Sequence, residues 1–144
     1  MLVRQILGLK GGGDVVTIEP SALVRDAAKV LSEMRIGALL VNEGGGAPQG
    51  IISERDIVRE LGRRGDACLK DNVSDMMTKD LISCAPEDTT DSVLEKMTEG
   101  RFRHMPVMED GALAGVISIG DVVKARLSEL SMEKDALEGM IKGF

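Results

Sequence analysis

An internal duplication constrains this chain more than any other feature of it. Val15-Val16-Thr17-Ile18-Glu19-Pro20 returns as Leu81-Ile82-Ser83-Cys84-Ala85-Pro86, and Gly50-Ile51-Ile52-Ser53-Glu54-Arg55-Asp56 returns as Gly115-Val116-Ile117-Ser118-Ile119-Gly120-Asp121. The two offsets are 66 and 65 positions, so one residue is lost between the anchors. Between them Glu33 matches Glu99, Arg35 matches Arg101, Val41 matches Val107 and Gly45 matches Gly111. An offset this constant marks two copies of one supersecondary unit, which bury their apolar faces by packing together.

At 144 residues the chain suffices for one body of two lobes, burying about two thirds of its unfolded surface. Apolar residues make up 43%, yet Trp and Tyr are absent and the aromatics are Phe102 and Phe144. The core is therefore expected to be aliphatic, with nine Met as adaptable filler. A formal charge of −6 argues against nucleic-acid binding, which needs a concentrated basic face. Cys68 and Cys84 lie far apart and without flanking His, which gives neither a disulfide framework nor a metal site. Nothing approaches the ~20 apolar residues of a membrane span, and the start of the chain lacks a signal-peptide core. The expectation is a reducing cytoplasm and no membrane contact.

Each copy reads as strand, helix, strand, strand, helix. In the first, the β-branched run 15–18 is a short strand stopped by Pro20, and Ser21 is the expected cap of a helix over 22–34. Leu23, Ala27, Val30, Leu31 and Met34 recur at three and four there. A hairpin follows, with strands over 38–41 and 50–52, and then a helix over 55–61. The second copy predicts strands 81–84, 104–108 and 113–117, a helix over 90–99 capped by Asp88 or Thr89, and a helix over 119–130. A short lead-in helix precedes the first copy at 3–7. Residues 131–144 read as a separate C-terminal helix whose Met132, Leu137, Met140 and Ile141 could meet a partner subunit. The units expected are 1–65, 66–130 and a tail at 131–144.

The sharpest local pattern is Gly-apolar-Ile-Ser-x-x-Asp, present at 50–56 and 115–121. Structurally it resembles a capping box, with Ser53 and Ser118 closing helix N-termini. Functionally, a carboxylate three residues after a hydroxyl, at an anion-favouring helix end, can accept two hydrogen bonds from a vicinal diol, which suits a ribose carrying a phosphate. Arg101-Phe102-Arg103-His104 stands where the first copy has Arg35-Ile36-Gly37-Ala38, so two extra basic groups occur on one side only. Either they are surface charge or they contact phosphate. Lys10-Gly11-Gly12-Gly13 lacks Walker spacing and reads as a flexible loop. No set of nucleophile, base and orienting group emerges.

These residues together resemble a tandem pair of CBS domains, a Bateman module, over residues 1 to about 130. The resemblance rests on Thr17-Ile18-Glu19-Pro20 and Ser83-Cys84-Ala85-Pro86, on Ile36 to Val41 and its partner Arg103-His104-Met105-Pro106-Val107, on Val73 to Thr78, and on both Gly-x-Ile-Ser-x-x-Asp segments. It implies an α/β (α+β) fold of two β-α-β-β-α repeats packed with pseudo-twofold symmetry around two clefts, plus a C-terminal helix. In the family such clefts take adenine nucleotides (AMP, ADP or ATP), and in some members NAD or S-adenosylmethionine. By that resemblance Ser118 and Asp121 would hold ribose and phosphate in one cleft, with Val116, Ile36 and Gly37 flanking the base and Gly13 at its edge. The other cleft would use Ser53 and Asp56, with Ile51 and Phe102 around the base and Lys79 at its edge. Arg103, His104 and Arg55 would face phosphates near the middle. Gly37 opposite Arg103, and Gly120 opposite Arg55, make the clefts unequal.

The resemblance implies a regulatory, non-catalytic module that binds an adenosine-containing ligand (AMP, ADP, ATP or NAD/NADH). It also implies a homodimer pairing helices 54–62 and 119–130, and an unidentified regulated protein. The alternative is a dimerisation scaffold with unfilled clefts. An enzyme acting on nucleotides ranks third and a DNA-binding regulator last, since neither charge nor a helix-turn-helix supports it.

Overall fold

The structure, a computed structural model, describes residues 1–10, 15–44 and 47–141. The elements run α1 (Val3–Leu9), β1 (Thr17–Ile18), α2 (Val24–Met34), β2 (Ala38–Val41), β3 (Gly50–Ser53) and α3 (Glu54–Arg64). After a 3-10 turn at Gly65–Lys70 come α4 (Val73–Met76), α5 (Thr90–Gly100), β4 (His104–Glu109), β5 (Ala112–Ser118) and α6 (Ile119–Ile141). The first sheet has the order β1-β2-β3, parallel then antiparallel, with Leu40 opposite both Thr17 and Ile51. The second is the antiparallel pair β4-β5, with His104 opposite Ser118 and a register shift after Val107. Its tight turn, Asp110-Gly111, takes positive φ at both residues (51° and 77°), the backbone a two-residue hairpin requires.

Two aliphatic cores hold the repeats. Leu39, Val41 and Ile52 pack with Val24, Ala27 and Leu31 in the first, and Met105, Val107 and Ile117 pack with Val93 and Met97 in the second. The lead-in segments cross over. Val3 and Ile6 of α1 belong to the core of the second repeat, while Val73 and Met76 of α4 belong to that of the first. Matching backbone bonds pin the exchange. Val3 N–H donates to the Asp88 carbonyl, and Val73 N–H donates to the Ala22 carbonyl, both at 2.8 Å.

Several elements differ from the sequence reading, each for a physical reason. Segment 81–84 forms no strand. Cys84 alone bridges Val107 in parallel, through bonds from Cys84 N–H to the Pro106 carbonyl and from Met108 N–H to the Cys84 carbonyl. Extending that ladder toward Ile82 needs an amide hydrogen at 106, and proline has none; the first repeat has Leu40 there and pairs over two residues. Ser21 caps nothing, because Val24 N–H is taken by the Asp71 carbonyl at 2.9 Å and Leu23 becomes the N-cap. Thr89, by contrast, caps α5 by accepting from Ser92 N–H. The separate tail helix is the end of α6, one continuous helix through Ile141. Helix-forming Leu, Glu, Met and Lys around Ser131, with no Gly or Pro between Gly120 and Gly139, leave nothing to break it.

Candidate functional site

Ser53 and Ser118 each end the last strand of a repeat, and each is followed at once by a helix, so strand end and helix N-terminus meet at one hydroxyl. In the first repeat Asp56 N–H donates to Ser53 Oγ at 3.2 Å, while Asp56 Oδ2 accepts from Ser53 N–H and Oγ, both at 3.0 Å. The second repeats this, with Asp121 N–H to Ser118 Oγ at 3.1 Å and Ser118 N–H to Asp121 Oδ2 at 2.8 Å. Both capping boxes expected from the sequence are therefore present, and each contributes about 1 kcal/mol of helix stability. They also hold each carboxylate at a fixed place above a positive helix end.

Two clefts open between the sheets. Cleft A has a volume of about 520 Å³ and brings together Ser118, Asp121, Val116, Ile36 and Gly37. Cleft B, about 780 Å³, gathers Ser53, Asp56, Ile51, Phe102, Arg103 and Arg55. His104, Gly37 and Ser118 reach both. Lys79 does not line cleft B. Thr78 pairs with Ile51 through two backbone bonds, and in the extended chain there Thr78 and Asp80 border the cleft while Lys79, between them, points to the other side. Gly13 lies outside the described residues.

Three site features escaped the sequence reading. Lys10, which ends α1, sends its ammonium to Asp121 Oδ2 at 2.8 Å and to the Val116 carbonyl at 2.9 Å. Burial pushes the Asp121 carboxyl up, but the Lys10 ammonium and the Ser118 amide more than offset this and hold it below the ordinary carboxylate range. The segment equivalent to the end of α1 in the second repeat runs through Thr78 and Asp80, so cleft B has a carboxylate near that place. Asp56 is paired instead by Arg59 of its own helix, Nη2 to Oδ1 at 3.0 Å. Arg35 and Arg101 form the third feature. They close α2 and α5 at φ 55° in both cases, and they line cleft A and cleft B respectively. Their correspondence across the repeats was visible in the sequence, but the left-handed backbone beneath them was not.

His104 sits where the clefts meet, and a Cβ placed on Gly37 would lie 3.2 Å from its Nε2. Desolvation holds its imidazole below the usual histidine pKa, against the pull of Glu54 and Asp121 and with the help of Lys10 and Arg103. Among the described residues no group of three or more His, Cys, Asp or Glu side chains is placed to hold a metal ion, and no helix is long and apolar enough to cross a membrane.

Two small α/β repeats, each lending a lead-in segment to the other and enclosing two pseudo-equivalent clefts, define the class. The CBS domain family matches the chain twice, over residues 12–63 and 73–128, and the chain belongs to that family. Similar proteins include the mitochondrial CBS domain-containing protein CBSX3 of Arabidopsis thaliana, 38% identical over 83% of this chain and 60% of that protein. This chain thus spans less than two thirds of that relative. The crystal structure of the CBS-domain containing protein ATU1752 from Agrobacterium tumefaciens matches with a TM-score of 0.83 and 48% identity, covering 88% of this chain and 99% of that one. The CBS domain pair of MJ0100, crystallised with 5′-methylthioadenosine and S-adenosyl-L-methionine, matches with a TM-score of 0.78, over 90% of this chain and 98% of that one. At 23% identity the likeness to MJ0100 is one of fold.

Proposed function

We propose that this protein is a regulatory module that binds an adenosine-containing ligand in the clefts between its repeats and passes its state to a partner protein. The observation that carries the reading is the duplicated placement of a helix-end carboxylate beside an apolar slot and basic groups. Asp121 lines cleft A together with Val116, Ile36, Lys10 and Arg35, and Asp56 lines cleft B together with Ile51, Phe102, Arg55 and Arg103. A diol, a flat base and a phosphate need those three surroundings together. The MJ0100 complex supports the ligand class, since both of its ligands contain adenosine. AMP, ADP, ATP, NAD and NADH are the ligands we would place here alongside these. The sequence units 1–65 and 66–130 act as one body in this reading, because each lead-in segment packs into the other's core.

We read the module as non-catalytic and as a homodimer. Val58 on α3 and Val123, Leu127 and Leu130 on α6 are exposed apolar side chains on the helices expected to pair. A cytoplasmic or other reducing compartment suits two buried, unpaired cysteines.

A ligand that prefers the native state raises the thermal midpoint. The test is a thermal-shift screen with AMP, ADP, ATP, NAD, NADH and S-adenosylmethionine, repeated on Asp56→Ala and Asp121→Ala. The expected outcome is a shift that one or both variants lose. A midpoint indifferent to every ligand would replace this reading with the scaffold. The Lys10 contact favours that second reading at cleft A, because the ammonium already occupies Asp121 Oδ2.

A further inference from the structure

We propose that the two clefts sort their ligands by phosphate number: cleft A takes a nucleoside or its monophosphate, and cleft B takes a chain of two or three linked phosphates. This rests on the nucleotide reading above and assigns a ligand class to each cleft.

The argument comes from comparing equivalent positions. Arg101, Arg103 and Arg55 line cleft B, from the end of α5, the start of β4 and the first turn of α3. The pseudo-equivalent positions around cleft A are Arg35, Gly37 and Gly120. Two of three guanidiniums are thus replaced by hydrogen atoms. Lys10, the other full cation at cleft A, is engaged with Asp121. Arg55, Arg101 and Arg103 form no ion pair among the described residues, in a chain of net charge −6. Cleft B is also the larger, at about 780 Å³ against 520 Å³.

Net charge does not separate the clefts, because Glu54 and Asp80 also line cleft B. What separates them is the number of planar forks. A guanidinium grips a phosphate through two parallel N–H donors, so three forks from three elements can hold successive phosphates that one fork cannot. The backbone marks one arginine in each cleft, Arg35 in cleft A and Arg101 in cleft B, so it bears on the role of these side chains and not on the difference between the clefts. Arg101 takes φ 55°, a left-handed conformation in which glycine is the default helix terminator. An arginine held there at a conformational cost, with its side chain in the cleft, is a residue kept for its guanidinium.

That backbone also supplies a clean variant, since Arg101→Gly removes the side chain while relieving the strain. Isothermal titration with adenosine, AMP, ADP and ATP would be run on Asp121→Ala, which leaves cleft B, and on Asp56→Ala, which leaves cleft A. The expected result is affinity rising about tenfold or more from adenosine to ADP in cleft B, and levelling off at AMP in cleft A. Adding Arg101→Gly to the Asp121→Ala protein should cancel most of the ADP gain without lowering the thermal midpoint. The same phosphate ranking in both clefts, or an unchanged ADP affinity with Arg101→Gly, overturns the proposal. If all four probes are silent on the wild-type protein, the nucleoside reading fails by itself. Inorganic tripolyphosphate then decides the rest: binding that Arg101→Gly weakens keeps cleft B as a polyphosphate site, and no binding removes it.

Discussion

His104 shows how one side chain can register conditions at both clefts. Half-buried beside Gly37, it has its pKa lowered mainly by desolvation, with Lys10 and Arg103 adding repulsion, while Glu54 and Asp121 pull the other way. Its folded pKa is below the unfolded value of about 6.5, so the unfolded chain binds the proton first as pH falls. Stability contributed by the neutral imidazole is therefore present above about pH 6.5 and is lost as pH drops from there toward the folded pKa. Thermal midpoints measured between about pH 7.5 and 5.5 should fall more steeply for the wild type than for His104→Gln. Parallel slopes would show that the imidazole is as well solvated in the folded protein as in the unfolded chain. The residue was legible in the sequence as one of two extra basic groups at the start of a strand. The resemblance to the CBS family also set it near the middle, and the pairing of His104 with Ser118 is what brings it to the lining of both clefts.

At the level of elements, the sequence spoke most clearly where periodicity was strong and least where pairing partners decide. The helices at 24–34, 54–64 and 90–100 follow from apolar spacing at three and four, and the β2-β3 and β4-β5 hairpins follow from apolar runs around turn residues. The crossing of α1 and α4 between repeats left no local signal, since it consists of backbone bonds to residues some 50 to 85 positions away. Lys10 shares that blindness: its partner Asp121 lies 111 positions along the chain. The absent strand at 81–84 is the opposite case. Its cause, Pro106, stands in the sequence, but in the neighbouring strand rather than in the segment it affects. Replacing Pro106 with Leu, the residue the first repeat uses at Leu40, restores a donor facing the 81–84 segment. Hydrogen exchange should then show a protected amide at 106 and a longer parallel pairing, with stability gaining no more than about 1 kcal/mol because the net value of one hydrogen bond is small. Free exchange at that amide would mean that something other than the missing donor keeps the segment out of the sheet.

For the whole molecule, α6 poses a question that one copy of the chain does not answer. Its 23 residues run well past the body, and every residue from Ser131 to Glu138 is exposed. A helix segment of that length has little stability of its own in water, because helices below about 12–15 residues are marginal without tertiary packing. Yet it carries an apolar stripe. Val123, Leu127, Leu130, Leu137 and Ile141 recur at four, three, seven and four, with Lys134 at the intervening position, and their exposures run from 42% to 85%. That spacing is the seam of a helix pair, and a second copy of the chain offers the same seam in return. Each leucine covered there would contribute about 1.5–3 kcal/mol, enough for several to hold a dimer at micromolar concentration. Leu130→Glu with Leu137→Glu should convert a sedimenting dimer to a monomer and lower helicity at the end of α6. The thermal shift with nucleotide should persist, because neither residue lines a cleft. A wild-type protein that sediments as a monomer at every concentration would show that the stripe meets a different chain. Loss of the nucleotide shift together with the dimer would instead mean that the clefts depend on the pairing, and ligand would then tighten the dimer by the same factor that the dimer tightens ligand.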